Sequence, residues 1–255
     1  MSLQKRRLNR KMRSLSAQQI IQVWELGQRQ HFLDRAITML SMACPEQTTS
    51  ELAALSIGQR DAYLLRLREL TFGNQMTSLT ACPHCQEKLE STLNVSNFRI
   101  VELQRSQPQV YRCRIDSYEL QFRLANSWDL AAIAGQKDAM QAKTILEQRC
   151  LLQANLDGQL VNYDQLPTGV IEQFGETLSD YDPQAEILLS FDCPACGHQW
   201  NLLFDIVAFF WTELTVQAKR LLHEVHVLAR FYGWREIDIL SMTTARRQLY
   251  LGLVS

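Results

Sequence analysis

Two short motifs, Cys82-Pro83-His84-Cys85 and Cys193-Pro194-Ala195-Cys196, constrain this chain more than any other feature. A two-residue gap lets both sulfurs of a knuckle face one ion, while backbone N–H groups of the turn point at the thiolates. Two such knuckles supply four thiolates in tetrahedral array, the closed coordination of structural zinc. One zinc ion held by Cys82, Cys85, Cys193 and Cys196 is the expectation. Gly197 suits the tight turn after the second knuckle, and Gln86 fills that place in the first less well. Four sulfurs leave no open position for water or substrate, so the ion is expected to stabilise the fold and do no catalytic work.

The spacing decides the architecture. Between Cys85 and Cys193 lie 107 residues, whereas common zinc ribbons have about 15–20. The one-zinc reading therefore requires two hairpins distant in sequence to meet in space. The loop-closure cost grows only logarithmically with length, so this separation is affordable. Two unrelated cysteine pairs and a thiol–disulfide site are the competing readings; against the second, a redox CxxC precedes a helix in a βαβ unit. Both motifs here sit between strand patterns. Leu89, Leu93 and Val95 alternate after the first. Ile187, Leu189 and Phe191 alternate before the second, and Trp200, Leu202 and Phe204 after it.

Around these hairpins the pattern is helical at both ends. Helices are predicted from about Ser14 or Ser16, from His31 to Met42 with Cys44-Pro45 as the stop, and from Ile57 to Leu70 with Ser56 as the cap. Further hairpins are predicted at Val110–Ile115 and Tyr118–Leu124, turning at Asp116-Ser117, and at Asp157-Gly158. Inserted helices are expected after Ser127, over Ala139–Cys150, and after Pro167. Val207, Phe210, Leu214, Ala218, Leu221, Val225 and Leu228 follow 3- and 4-residue steps and define a long helix of about 33 Å, closed by Gly233. Two short helices follow, from about Arg235 and Thr244. The fold class expected is α+β: helical N- and C-terminal regions around a zinc-ribbon-like region of short antiparallel hairpins with inserted helices. The segments are residues 1–13, a basic arm expected to be disordered; 14–73, helical; 74–205, stapled by zinc; and 206–255, helical.

Composition narrows the function classes. Net charge is -1, with 46% hydrophobic and 21% charged residues, as in an ordinary globular protein. No segment approaches the roughly 20 apolar residues of a membrane span, and no apolar stretch follows the basic N-terminus, so no membrane association or secretory signal is expected. A reducing cytoplasm is the expected location, and there seven cysteines do not form a disulfide framework. Cys44, Cys113 and Cys150 read as small buried apolar residues. Lys5, Arg6, Arg7, Arg10, Lys11 and Arg13 form an arm without an acid. Such an arm could bind phosphate, which makes a nucleic-acid-binding zinc-ribbon protein the alternative function, but the near-neutral total charge argues against nucleic acid.

Nothing in the sequence indicates an enzyme. His223-Glu224-Val225-His226 is one residue too short for a metalloprotease HExxH. Lys219, His223, His226 and Arg230 instead form a polar stripe opposite the apolar one. No Gly-rich phosphate loop, GxSxG nucleophile motif or paired carboxylate arrangement is present. His84 and His198 are expected beside the metal rather than on it.

The stretch Leu65-Arg66-Leu67-Arg68-Glu69-Leu70-Thr71-Phe72-Gly73, followed by Thr80-Ala81-Cys82-Pro83-His84-Cys85, the distant CPxCG, and the tail with Tyr232-Gly233-Trp234-Arg235-Glu236, Arg246-Arg247 and Tyr250-Leu251 resemble a family of baseplate proteins from contractile phage tails and related injection systems. Members are often described as hub assembly proteins or chaperones. The resemblance spans residues 60–253 in pieces. It implies a non-enzymatic protein that contacts baseplate, hub, spike or tail-tube proteins, either in the cytoplasm or within the assembled particle. An apolar seam of Phe210, Leu214 and Leu221, followed by Trp234 and Tyr250, offers a place for a partner helix to dock.

Overall fold

The computed structural model describes residues 12–98 and 110–254. The protein is α+β, as expected. Its first helices are α1 (Ala17–Gly27), α2 (Phe32–Ala43), α3 (Thr49–Ala53) and α4 (Ile57–Phe72). Ser16 caps α1 in a reciprocal capping box with Gln19, and Ser56 caps α4 by accepting from Gln59 N–H. The short α3, absent from the sequence expectation, rests on a second capping box between Thr48 and Glu51.

A hairpin of β1 (Gln75–Ala81) and β2 (Lys88–Asn94) carries the first CPxC, and the single-turn helix α5 (Val95–Phe98) follows. After the undescribed residues come β3 (Tyr111–Ile115) and β4 (Tyr118–Phe122), helices α6 (Ser127–Ile133) and α7 (Ala139–Cys150), strands β5 (Leu151–Leu156) and β6 (Gln159–Val161), and helix α8 (Thr168–Tyr181). The hairpin of β7 (Leu188–Asp192) and β8 (Gln199–Leu203) carries the second CPxC. The chain ends in α9 (Ile206–Tyr232), α10 (Glu236–Ser241) and α11 (Thr244–Leu253). At 27 residues α9 is about 40 Å long, longer than predicted. Gly233 ends it in the left-handed conformation, φ 68°.

Two predicted hairpins turn out to belong to one antiparallel sheet, ordered β3-β4-β5-β6, because β4 pairs with β5 across the two intervening helices. The Asp157-Gly158 turn has positive φ at both residues (49° and 83°), as a tight hairpin with the native twist requires. The cap of α6 is Asn126, which accepts from Trp128 and Asp129 N–H, rather than Ser127.

Apolar packing forms two cores among the described residues. The larger joins α1, α2, α4 and α9 with the bases of both CPxC hairpins, through Met76, Val95, Ile187, Ile206, Phe210 and Leu214 among others. The smaller lies between the four-stranded sheet and α8, around Phe122 and Phe174, whose rings meet edge to face. The cores meet where Asp182, past the end of α8, accepts from Gly58 N–H (3.0 Å) and Ser56 Oγ (3.3 Å) at the start of α4. Burial pushes the Asp182 carboxyl up to about 6, although these donors pull the other way.

Some expectations change. The expected disorder of the basic arm falls on residues 1–11, outside the described ones. Met12 and Arg13, assigned to that arm, belong to the fold: Met12 is buried and Arg13 N–H donates to Ala43 C=O. Phe210, Leu214 and Leu221 are fully buried in this protein's own core, so they offer no partner helix a surface. An amphipathic seam looks the same whether it faces a neighbouring helix of its own chain or another protein. Trp234 and Tyr250 are half-buried and pack on each other (ring centroids 4.8 Å) and with Tyr232.

Candidate metal centre

Both knuckles are built the same way. Cys82 N–H donates to Glu87 C=O (2.8 Å) and Gln86 N–H to Cys82 C=O (2.9 Å). Cys193 N–H donates to His198 C=O and Gly197 N–H to Cys193 C=O, both 2.9 Å. Each turn needs a left-handed residue four places after its start: Gly197 (φ 70°) in one, Gln86 (φ 63°) in the other. The glutamine adopts that conformation at a cost of about 1 kcal/mol or more, which glycine avoids. The poorer match read from the sequence is thus a real strain that the first hairpin absorbs.

The hairpin bases fix where the tips go. Met76 and Val95 anchor the β1–β2 hairpin in the larger core, with Val95 N–H donating to Asn74 C=O. Ile187 and the Phe204 ring anchor the β7–β8 hairpin. Phe204 N–H donates to Ile187 C=O, and its ring stacks on Phe98 (5.7 Å). At the tips a ladder of rings crosses from one hairpin to the other: His84 on His198 (5.6 Å), His198 on Trp200 (6.0 Å), Trp200 on Phe191 (5.5 Å). The two histidines are exposed and lie beside the cysteines, where the sequence placed them.

Cys82, Cys85, Cys193 and Cys196 come together, all four sulfurs lying within 4.8 Å of one another. Cys82 Sγ is 3.7 Å from Cys196 Sγ, and Cys85 Sγ is 3.5 Å from Cys193 Sγ. A tetrahedron with metal–sulfur bonds of about 2.3 Å has edges of about 3.8 Å. A disulfide would need about 2.05 Å, and all four thiols are free. The donor set and its dimensions fit a four-thiolate metal ion. Cys82 and Cys193 are buried while Cys85 and Cys196 are exposed, so one side of the site faces solvent.

The local electrostatics favour thiolate on one side and resist it on the other. Burial raises the Cys193 thiol, but N–H groups of Cys196 and Ala195 and the neighbouring thiols outweigh it and bring its pKa down to about 7. Cys85 accepts from Glu87 N–H, yet burial and the other three thiols push it up to about 12. Four adjacent thiols cannot all ionise unaided; a divalent cation among them removes that conflict.

The other cysteines lie outside this cluster. Cys44 and Cys150 are buried and Cys113 is half-buried. Burial pushes Cys44 up to about 11 and Cys150 up to about 12, which keeps them as unreactive thiols.

Sequence reasoning missed the buried ion pairs. Glu224, noted in the sequence only as part of the His223-Glu224-Val225-His226 motif, lies inside. Its carboxylate accepts from Arg247 Nε (2.9 Å), Gln248 Nε2 (2.7 Å) and Arg220 Nε (3.2 Å), fixing α11 against α9. Arg68 grips Glu213 with two nitrogens (2.8 and 2.6 Å), joining α4 to α9. Asp129 is fully buried between Arg123 and Arg149. The one available signal was position: Glu224 and Arg247 fall where the apolar stripes of their helices continue.

No helix among the described residues is long and apolar enough to cross a membrane. No curated protein and no solved structure matches the chain. A family model described as "T4 bacteriophage base plate protein" matches residues 17–211. That span runs from the first residue of α1 into the first turns of α9 and includes both cysteine hairpins and the sheet between them. The chain belongs to the T4 bacteriophage base plate protein family.

Proposed function

We propose that this protein is a non-enzymatic structural or assembly component of the baseplate hub of a contractile tail, acting through protein contacts and stabilised by one zinc ion. Membership of the base plate family carries the reading. The four-sulfur centre supports it in a specific way. Cys82, Cys85, Cys193 and Cys196 would hold zinc with every coordination position filled, so the ion supplies cross-linking rather than chemistry. Zinc is favoured over other thiolate-bound metals because it is redox-inert and imposes no geometry beyond the tetrahedron. Assembly would take place in the cytoplasm, with hub, spike, tail-tube or other baseplate proteins as partners.

The test is a native pull-down of the tagged chain from cells carrying its neighbouring genes, alongside protein analysis of purified particles. Recovery of baseplate proteins supports the reading. Presence of the chain in particles makes it a resident part, and its absence there makes it an assembly chaperone. Recovery of nucleic acid with a steep salt dependence would instead favour a zinc-ribbon protein that uses the basic N-terminal arm.

A further inference from the structure

A groove of about 820 Å³ runs between the two cysteine hairpins and along α9. Three consecutive residues of β1 (Thr77, Ser78, Leu79) and the run Leu202-Leu203-Phe204 at the end of β8 line it. Consecutive residues point to opposite faces of a strand, so the edge of each strand lines the groove. Within the described residues β1 pairs only with β2, and β8 only with β7. The facing edges therefore have unused backbone donors and acceptors, a template for an added strand. Apolar side chains crowd the same place: Leu79 is 77% exposed, Leu203 61% and Val216 65%. Isolated exposed leucines mean little, but several in one groove mark an interaction site.

The groove continues into a charged stripe. Thr212 and Val216 on α9 line it, and the same face carries on through Lys219, His223, His226 and Arg230, all exposed. The acids of α9 do not neutralise this stripe. Glu213 is held by Arg68, and Glu224 is buried against Arg247 and Arg220. Among the described residues neither Lys219 nor Arg230 has a carboxylate within ion-pair distance. From Thr212 to Arg230 the helix rises about 27 Å, the length of about eight extended residues.

We propose that this surface, resting on the baseplate reading above, binds an extended segment of another baseplate protein, apolar where it adds to the β1 and β8 edges and acidic where it follows α9. Unneutralised positive charge selects the acidic partner and fixes its direction, while the strand edges and leucines hold it.

The test places a photo-crosslinking amino acid at position 216 of the full chain, expressed with its neighbouring genes, and maps the captured peptide. The expected result is a segment of a baseplate protein with alternating apolar residues and net negative charge. Adding Lys219→Glu and Arg230→Glu, both exposed, should cut the crosslinked yield about tenfold or more with melting temperature unchanged. Capture of a second copy, nucleic acid or a neutral or basic segment overturns the proposal, as does a yield that the charge reversals leave unchanged. Co-purification of baseplate proteins without any crosslink at position 216 also overturns it and leaves the baseplate reading standing. Failure to co-purify any baseplate protein overturns both.

Discussion

Replacing Cys193 with serine removes one buried thiolate from the cluster, and the structure sets how much that should cost. A metal ion on the four thiols would link hairpins separated by 107 residues of chain. A cross-link closing a loop of that size restricts the unfolded chain by about 5 kcal/mol at 25 °C, against a total stability of about 5–15 kcal/mol for a typical domain. The folded chain keeps other ties between the hairpins and the core, through Met76, Val95 and Ile187. Cys193→Ser should therefore stay folded at room temperature while melting about 10–20 °C lower, at roughly 2–4 °C per kcal/mol for a chain of this size. Elemental analysis should find one zinc per wild-type chain and a substoichiometric amount in the variant. A chelator, admitted through exposed Cys85 and Cys196, should lower the wild-type melting temperature by a similar amount and leave the variant unchanged. Metal-free wild type with full stability, or a variant that melts with the wild type, would refute the stapling argument.

Three further substitutions test the fold. Arg247→Ala removes the buried cation from the Glu224 carboxylate, leaving it only Gln248 and the exposed Arg220, and should cost up to about 3–5 kcal/mol in chemical denaturation, whereas Arg247→Met with Glu224→Leu should recover most of it; a single-variant loss below about 1 kcal/mol would show that the pair is not buried as described. In Gly58→Ala the new Cβ would press into the Asp182 carboxylate and lie 3.0 Å from Ala185 N, so a loss of about 1–3 kcal/mol is expected, and an unchanged urea midpoint would contradict the close approach. Asp182 titrates near 6 when folded, against 3.8 for the ordinary side chain, so the folded state holds the extra proton in between. Its contribution is fully present below about pH 4 and is lost as pH rises through 6, by up to about 3 kcal/mol. Asp182→Asn should remove that slope relative to wild type between pH 4 and 7, and parallel wild-type and variant curves would refute it.

What the sequence determined by itself was whatever a short stretch of chain can encode. The CPxC spacing, the capping Ser56, the Asp157-Gly158 turn and the terminal Gly233 each act within a few residues, and each stands where it was read, while of the two serines offered for the first cap, Ser14 and Ser16, the structure uses Ser16. Four cysteines supported the expectation that two distant hairpins meet, because two knuckles that share one tetrahedral thiolate site must lie side by side, and the structure brings the four sulfurs together.

The tertiary structure decided everything that depends on which surfaces meet. It joined two hairpins into one sheet through β4 and β5, whose pairing carries no local signal because any alternating strand can pair with another. It put the cysteine hairpins on the helical core and gave the intervening sheet a core of its own. It buried Asp129, Glu224 and Arg247, which in sequence look like solvated charges; burial of a charge is possible only once an opposite charge arrives from another element. It also turned the apolar seam of α9 inward and left the groove beside it open. One helix pattern is compatible with either outcome, and the neighbouring helices settle which face is covered.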